Sequence, residues 1–325
     1  MGTFETEQVG LFVKYSTPLA PISPDLPHDL RPLVGRALPR PPRAILFDVY
    51  GTLVVSGSGD VGAAAPAATD PGTPAATGTG SPFLRAFEIA SGTSLPPGAE
   101  QTMRRTYHDA IARSHLASKS AGIAHPEVDI TRIWRAVLEE LAREGLEPAP
   151  VDVQLLAIAY ETLANPAWPM PGALSLLELL RGNERAMGIV SNAQFYTERM
   201  IRALFGSTPR ELGFDPALIA YSYEAGRAKP DPALFDTPLA ELERRGIDST
   251  QTVYVGNDMR NDVAAARSRE CMTVLFAGDR RSLRLRRDSP GMESVRPDAV
   301  APSLDALPGI LGLDHASDPS NPQGE

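Results

Sequence analysis

Carboxylates, hydroxyl side chains and a lysine stand at the ends of short apolar stretches in this sequence. The first stretch, residues 44–47, leads into Asp48, and Thr52 follows shortly after it. A short apolar run is typical of a buried parallel strand, and ligands in open α/β sheets bind at the carboxyl ends of such strands. A carboxylate in that position can act as a nucleophile and form a covalent intermediate, so Asp48 is the first candidate for catalysis.

Three later stretches add polar groups in a fixed order along the chain. An apolar run at 187–190 ends in a hydroxyl and an amide, a lone lysine precedes a helix start, and a run at 252–255 leads to a turn with two acids. Since the carboxyl ends of parallel strands meet at one edge of a sheet, these groups are expected beside Asp48. They are, in order, Ser191, Asn192, Lys229, Asn257, Asp258 and Asp262.

Together the four stretches resemble the motifs of the haloacid dehalogenase-like (HAD) hydrolases. That family has a nucleophilic aspartate in a DxxGT pattern, a serine or threonine, a lysine, and a pair of acids after a glycine-containing turn. The resemblance covers roughly residues 43–312 and implies an α/β fold. The expected architecture is a doubly wound parallel sheet, a HAD-like Rossmannoid core, with a helical cap domain over the catalytic aspartate.

The resemblance also implies a role for each motif residue. Asp48 is the expected nucleophile, and Lys229 is expected to balance the charge of the crowded carboxylates. Thr52, Ser191 and Asn192 are expected to orient the transferred group, the last two as substrate-binding residues.

Mg²⁺ is the cofactor that the resemblance implies. Its expected ligands are Asp48, the backbone carbonyl of Tyr50, and Asp258, with Asp262 nearby. Asn257 stands where many relatives have the first acid, so the fourth-motif residue that binds the metal is left open. Hard oxygen ligands of this kind suit Mg²⁺.

Tyr50 departs from the phosphatase pattern, in which a second aspartate at this position protonates the leaving oxygen. General acid catalysis contributes about 10²–10⁴-fold to a rate, so its loss matters. In having a tyrosine at this position, the sequence resembles the 2-haloacid dehalogenase branch of the family, where the departing halide needs no proton. The two acids Asp258 and Asp262 favour the other branch, because they suit a metal ion.

The balance of these features favours Mg²⁺-dependent hydrolysis of a small phosphorylated metabolite. One alternative is hydrolysis of a carbon–halogen bond, as in 2-haloacid dehalogenases. The other is a catalytically silent protein with the HAD fold that binds a ligand without turnover. The complete set of Asp48, Ser191 and Lys229 favours an enzyme.

Composition restricts the partners. The 325 residues include 31 basic and 40 acidic side chains, a net charge of −9, so nucleic acid is not expected as a partner. No membrane span or signal pattern is found, which makes the cytoplasm the expected location. The single cysteine, Cys271, lies beside the apolar run at 272–276 and is expected to be a buried structural thiol. The expected partner is a small-molecule substrate, and its identity and the oligomeric state are left open.

The chain divides by composition into several segments. Further strands are expected near 187–190, 218–221, 252–255, 273–276 and 298–300, with the first strand at the centre of the sheet.

The arginine-rich run at 280–287 is interpreted as a solvated loop or short helix rather than as a phosphate-binding site. The expected segments are an irregular proline-rich extension at 1–42, the catalytic core at 43–54 and 170–312, a low-complexity and disordered insertion at 55–82, the helical cap at 83–169, and a flexible tail at 313–325.

Overall fold

The computed structural model describes residues 3–15, 18–58, 81–146, 150–183 and 185–313. Its centre is a parallel sheet of six strands, and a separate pair of antiparallel strands lies beside it. The strands are β1 Ala44–Phe47, β2 Val54–Ser56, β3 Ala167–Pro169, β4 Ala186–Ser191, β5 Ile219–Tyr221, β6 Thr252–Gly256, β7 Met272–Phe276 and β8 Ala299–Ala301.

The six-stranded sheet has the order β5-β4-β1-β6-β7-β8. The predicted strands are all present, and β1 is central as predicted, paired in parallel with β4 and β6. Alternate residues of β1 enter two different cores: Ile45 and Phe47 join the larger apolar cluster, and Ala44 and Leu46 join a second cluster on the other face. Because both faces are buried, the strand is apolar at every position.

Helices cover both faces of this sheet, as the doubly wound α/β prediction requires. The helices are α1 Thr3–Tyr15, α2 Pro82–Ser91, α3 Ala99–Ser120, α4 Ile130–Arg143, α5 Val153–Ala164, α6 Ala173–Arg181, α7 Thr197–Phe205, α8 Ser222–Ala225, α9 Asp236–Arg244, α10 Ala265–Arg267 and α11 Leu307–Ile310. Within the described ranges, no helix combines the length and the apolar character needed to cross a membrane.

Four of these helices, α2 to α5, form the region predicted as a helical cap. Phe83, Tyr107, Trp134 and Tyr160 pack ring against ring at its centre, with centroids as close as 4.6 Å between Phe83 and Tyr160. Trp134 is fully buried in this cluster. The start of α4 is fixed by Asp129, whose carboxylate accepts a hydrogen bond from the backbone N–H two residues later.

The two connections to this helical region pair with each other. Strands β2 and β3 run antiparallel, with Val55 opposite Trp168. The Ser56 hydroxyl donates to Asn165 Oδ1 at 2.8 Å, and the backbone N–H of Gly57 donates to the Pro166 carbonyl at 2.9 Å. The low-complexity insertion was predicted at 55–82, and its residues 59–80 lie outside the described residues, as do 314–325 of the predicted tail. The predicted bounds of the insertion were wrong at its ends, because Val55 and Ser56 belong to β2 and Pro82 begins α2. For residues 59–80 and 314–325 the expectations stay predictions.

The proline-rich extension was predicted to be irregular, and this was wrong for residues 3–15, which form α1. Leu11 and Phe12 are buried in the larger core, and the Phe12 ring lies 6.4 Å from that of Tyr196. The prolines of the extension begin after Tyr15, so the composition of the whole extension hid a helical segment that has no proline.

Candidate active site

Asp48 lies directly after β1, at the carboxyl end of this central strand. Its carboxylate is largely buried, and its Oδ1 accepts hydrogen bonds from Ser191 Oγ at 2.7 Å and from Lys229 Nζ at 2.8 Å. Among the described residues, none donates a hydrogen bond to Oδ2. One carboxylate oxygen is therefore fixed in place, and the other is available to attack an electrophile.

Ser191 is the last residue of β4, the neighbour of β1 in the sheet, and Asn192 follows it; the two side chains face different partners. Ser191 is fully buried against Asp48. The Asn192 side chain instead brackets the backbone of Lys229, accepting from its N–H at 2.7 Å and donating to its carbonyl at 3.2 Å. This geometry favours a positioning role for Asn192, and its predicted contact with substrate stays a prediction.

Lys229 joins the groups of the site into one network. Its ammonium donates to Asp48 Oδ1 at 2.8 Å, to Asp262 Oδ1 at 2.6 Å and to the Tyr254 hydroxyl at 2.8 Å, which uses all three N–H donors. Burial on its own would lower the pKa of Lys229, but the nearby carboxylates of Asp262 and Asp48 raise that pKa above its ordinary value. The ammonium therefore keeps its charge at neutral pH.

Tyr254 is a member of this network that the sequence did not reveal. Its hydroxyl accepts from Lys229 and donates to the Val190 carbonyl at 2.6 Å. Burial raises the pKa of Tyr254 well above its ordinary value, so the phenol stays neutral. The only sequence signal is a hydroxyl-bearing ring inside the strand run at 252–255, which is also an ordinary choice for a buried strand.

Tyr50, at the position of the phosphatase acid, directs its hydroxyl toward α7. Its oxygen lies 3.1 Å from Thr197 Oγ1, and no hydrogen bond joins it to Asp48 among the described residues. Burial, followed by the nearby Glu161 carboxylate, raises the pKa of Tyr50. This arrangement gives Tyr50 an anchoring contact rather than a path to a leaving group, and its predicted catalytic role stays a prediction.

Thr52 and Asn257 connect the first motif to the fourth. Thr52 Oγ1 donates to Asn257 Oδ1 at 3.1 Å, and Asn257 Nδ2 donates to the Ser282 carbonyl at 2.6 Å. Gly51, with φ at +79°, lies so close to Ser282 that a side chain at Gly51 would collide with it. A loop from the far end of the chain thus closes over the first motif.

Asp258 is held by protein donors on both oxygens. Its Oδ1 accepts from the backbone N–H groups of Arg260 and Asn261 at 2.8 and 3.1 Å and caps a short π-helix. Its Oδ2 accepts from Arg286 Nη2 at 2.7 Å and Nε at 3.0 Å. Arg286 belongs to the run interpreted as a solvated loop, and that interpretation was wrong for this residue and for Arg281, which pairs with the buried Asp279 at 3.0 Å.

Asp262 is also engaged on both oxygens. Oδ1 accepts from Lys229, and Oδ2 accepts from the backbone N–H of Asp258 at 2.8 Å. Burial raises the pKa of Asp262 to about 7, while the Lys229 ammonium opposes that rise. Asp262 therefore lies inside the protein as the partner of Lys229.

The predicted Mg²⁺ ligands were Asp48, Tyr50, Asn257, Asp258 and Asp262, and their oxygen donors suit the ion by type. Their arrangement does not fit it. The three fourth-motif side chains are already bonded to protein donors, and no cluster of three acidic, histidine or cysteine side chains in the described ranges could hold a metal ion. Mg²⁺ stays a prediction for this chain.

Solved structures that are similar to this one include a dehalogenase and a phosphatase. A 2-haloacid dehalogenase from Pseudomonas syringae pv. Tomato DC3000 is 18% identical, covering 83% of this chain and 98% of its own, with a TM-score of 0.44. A HAD phosphatase from Thermococcus onnurineus is 19% identical over the same shares, with a TM-score of 0.44. The putative HAD-hydrolase YfnB from Bacillus subtilis, bound to magnesium, is 15% identical, covering 84% and 99%, with a TM-score of 0.44.

These likenesses are too distant to bear on reaction or ligand. A comparison with curated proteins finds no match. The family model of the haloacid dehalogenase-like hydrolases matches residues 42–268, which include all four motif stretches. The chain therefore belongs to the haloacid dehalogenase-like hydrolase family.

Proposed function

We propose that the protein hydrolyses substrates whose leaving group departs without a proton from the enzyme, and that Asp48 is its nucleophile. A carbon–halogen bond of the 2-haloacid type is the substrate class that the geometry supports best. The observation that carries this proposal is that Tyr50 stands at the sequence position of the missing acid and directs its hydroxyl to Thr197 Oγ1, 3.1 Å away. The free Oδ2 of Asp48 supplies the attacking atom.

The proposed reaction has two steps. Asp48 Oδ2 forms a bond to the substrate carbon while the halide leaves with the electron pair of the broken bond. Water then adds to the carboxyl carbon of the resulting ester, which releases the alcohol and one proton and restores the carboxylate. Ser191 and Lys229 keep Oδ1 in place through both steps, and Lys229 stabilises the negative charge.

A second candidate is the Mg²⁺-dependent phosphatase expected from the sequence. The observation in its favour is that both Asp258 and Asp262 are retained after β6, and hydrolases of this family commonly use Mg²⁺. In this case Arg286 would have to leave Asp258 before a metal ion could bind. The missing acid would restrict fast turnover to aryl and acyl phosphates, whose leaving groups are acidic.

Paired assays separate the candidates. Turnover of 2-haloacids, aryl phosphates and alkyl phosphates is measured with Mg²⁺ and with a chelator. We expect haloacid turnover that the chelator does not change. Phosphate turnover that requires Mg²⁺ would overturn this in favour of the second candidate, and no turnover of any substrate would favour the silent binding protein.

The nucleophile is tested with Asp48→Asn, which is nearly isosteric. We expect turnover to fall to background while the circular dichroism spectrum is unchanged, because an amide oxygen does not form the ester. Asp288→Asn is the matched control, since Asp288 is exposed and should tolerate the same change. Retained activity in Asp48→Asn would remove the proposal.

Isotope labelling gives a second readout of the same step. In a single turnover in ¹⁸O-water, the two-step route to a haloacid product places the label in the Asp48 carboxylate, because water attacks that carboxyl carbon. A phosphatase leaves Asp48 unlabelled, because water attacks phosphorus. Mass spectrometry of the peptide that contains Asp48 distinguishes the two.

A further inference from the structure

We propose that Arg286 is a built-in cation that takes the place of a metal ion at Asp258, so that this chain binds divalent metal weakly until Arg286 is removed. The proposal concerns the binding properties of the centre: it agrees with the metal-independent reaction proposed above, whereas the Mg²⁺-dependent candidate requires the Arg286–Asp258 pair to open. It follows from the mismatch between the predicted Mg²⁺ ligands and their observed partners.

The contact itself is a two-donor ion pair. Arg286 Nη2 and Nε both donate to Asp258 Oδ2, at 2.7 and 3.0 Å. The Asp258 side chain is 8% exposed and that of Arg286 is 32% exposed, so the guanidinium enters from the solvent side and reaches a buried carboxylate. A carboxylate in such a place requires a positive partner, and a fork of N–H donors matches it well.

The backbone holds Arg286 in this position. The N–H of Arg284 donates to the Asn257 carbonyl at 3.0 Å, and the N–H of Met259 donates to the Arg284 carbonyl at 2.8 Å. These bonds lie on either side of Asp258 and align the loop with the fourth motif. Arg286 itself has φ at +52°, in the left-handed region that residues with a side chain adopt uncommonly.

The same loop is fastened on its other side to the N-terminal extension. The Arg280 N–H donates to the Ile22 carbonyl at 2.6 Å, and Arg281 Nη2 donates to the Ala20 carbonyl at 2.6 Å. Asp279 accepts from the Ile22 N–H at 3.2 Å. The Arg286 loop is therefore fixed from two directions and is not a free surface loop.

Charge explains why Arg286 and a metal ion exclude one another. Lys229 pairs with Asp48 and Asp262, and Arg286 pairs with Asp258, so the protein itself already supplies a positive charge at Asp258. A divalent ion bound to Asp258 would compete with the guanidinium for the same carboxylate oxygen, and the two cations would repel each other at that distance. Metal binding therefore requires the ion pair to open.

The test measures metal binding directly. Mn²⁺, which replaces Mg²⁺ in oxygen sites and is detected by electron paramagnetic resonance, is titrated into the unaltered protein and into Arg286→Ala. We expect Arg286→Ala to bind Mn²⁺ about tenfold more tightly or better, as the loss of a competing charged hydrogen bond predicts. Mg²⁺ should displace the bound Mn²⁺.

Arg287→Ala is the matched control, because Arg287 is the neighbour in sequence but pairs with Asp29. It should bind Mn²⁺ as the unaltered protein does. Adding Asp258→Asn to Arg286→Ala should abolish the new site, which places it at Asp258. If Arg286→Ala does not fold, Arg286→Gln keeps a polar side chain of intermediate length without the charge. Mn²⁺ binding to the unaltered protein that is as tight as in the variant, and is lost in Asp258→Asn, would overturn the proposal.

Discussion

At the residue scale, the hydroxyl of Tyr50 bears on which of two reactions the site can catalyse, one that needs an acid for the leaving group and one that does not. The side chain follows the nucleophile closely in sequence, yet its hydroxyl bonds to Thr197 on α7 rather than to the reacting groups. Tyr254, distant in sequence, places its hydroxyl on Lys229 instead. Distance along the chain is therefore a poor guide to which tyrosine takes part in the site.

Tyr50→Phe should keep turnover within about threefold, because the hydroxyl is not positioned as an acid. The free energy of unfolding should fall by about 1 kcal/mol from the loss of one buried hydrogen bond. Steady-state kinetics and urea unfolding measure the two effects. Tyr254→Phe, the same chemical change, should lower turnover more, because it removes an acceptor of Lys229. A loss of two orders of magnitude in Tyr50→Phe would make Tyr50 the acid.

Part of the site was open to prediction because it lies at strand ends. Asp48, Ser191 and Lys229 were expected to come together, and their hydrogen bonds join them. The role of Arg286 was not open to prediction. Its contact depends on a loop that folds back to the fourth motif through a residue with positive φ, and an arginine-rich run carries no sign of that path.

At the scale of elements, α1 is the main departure from the sequence prediction. The strands of the six-stranded sheet were predictable because short apolar runs with polar ends repeat along the core, but β2 and β3 were not predicted. The helix was not, because the prolines that follow it dominate the composition of the extension. In the structure α1 lies against α5 and α7, so it joins one helix of the cap region to one helix of the core.

Phe12→Ala should lower the free energy of unfolding by about 3 kcal/mol, the usual cost of emptying a buried aromatic site. Phe12 is 2% exposed and packs against Tyr196. Val13→Ala is the control on the same helix, because Val13 is 60% exposed and should change stability by less than about 0.5 kcal/mol. Chemical denaturation followed by circular dichroism measures both. Equal stability of the two variants would mean that α1 does not pack on the core.

At the scale of the whole molecule, the accessibility of the Cys271 thiol indicates whether the core is folded. Its thiol is buried before β7 with Leu46 and Tyr254 in one apolar cluster, as the sequence predicted for a structural thiol. Burial raises the pKa of Cys271 to about 12. At pH 8 the thiol is therefore protonated as well as inaccessible, and only the thiolate is reactive.

A thiol reagent such as Ellman's reagent should leave native protein unmodified at pH 8 and modify one group per chain on unfolding. In denaturant below the unfolding transition, the rate of thiol modification should rise with denaturant concentration as the core opens more often. Absorbance of the released thiolate measures both. Rapid reaction in the native state would show that the thiol is accessible and that this part of the core is open.

The pairing of β2 with β3 has a consequence for how the helical region can move. If each connection were a separate chain, that region could slide, twist and swing independently on two pivots. Hydrogen bonds between Ser56 and Asn165 and between Gly57 and Pro166 turn the two connections into one ribbon. A paired ribbon resists twisting and in-plane bending more than two separate strands do, so it limits how the helical region can shift relative to the sheet.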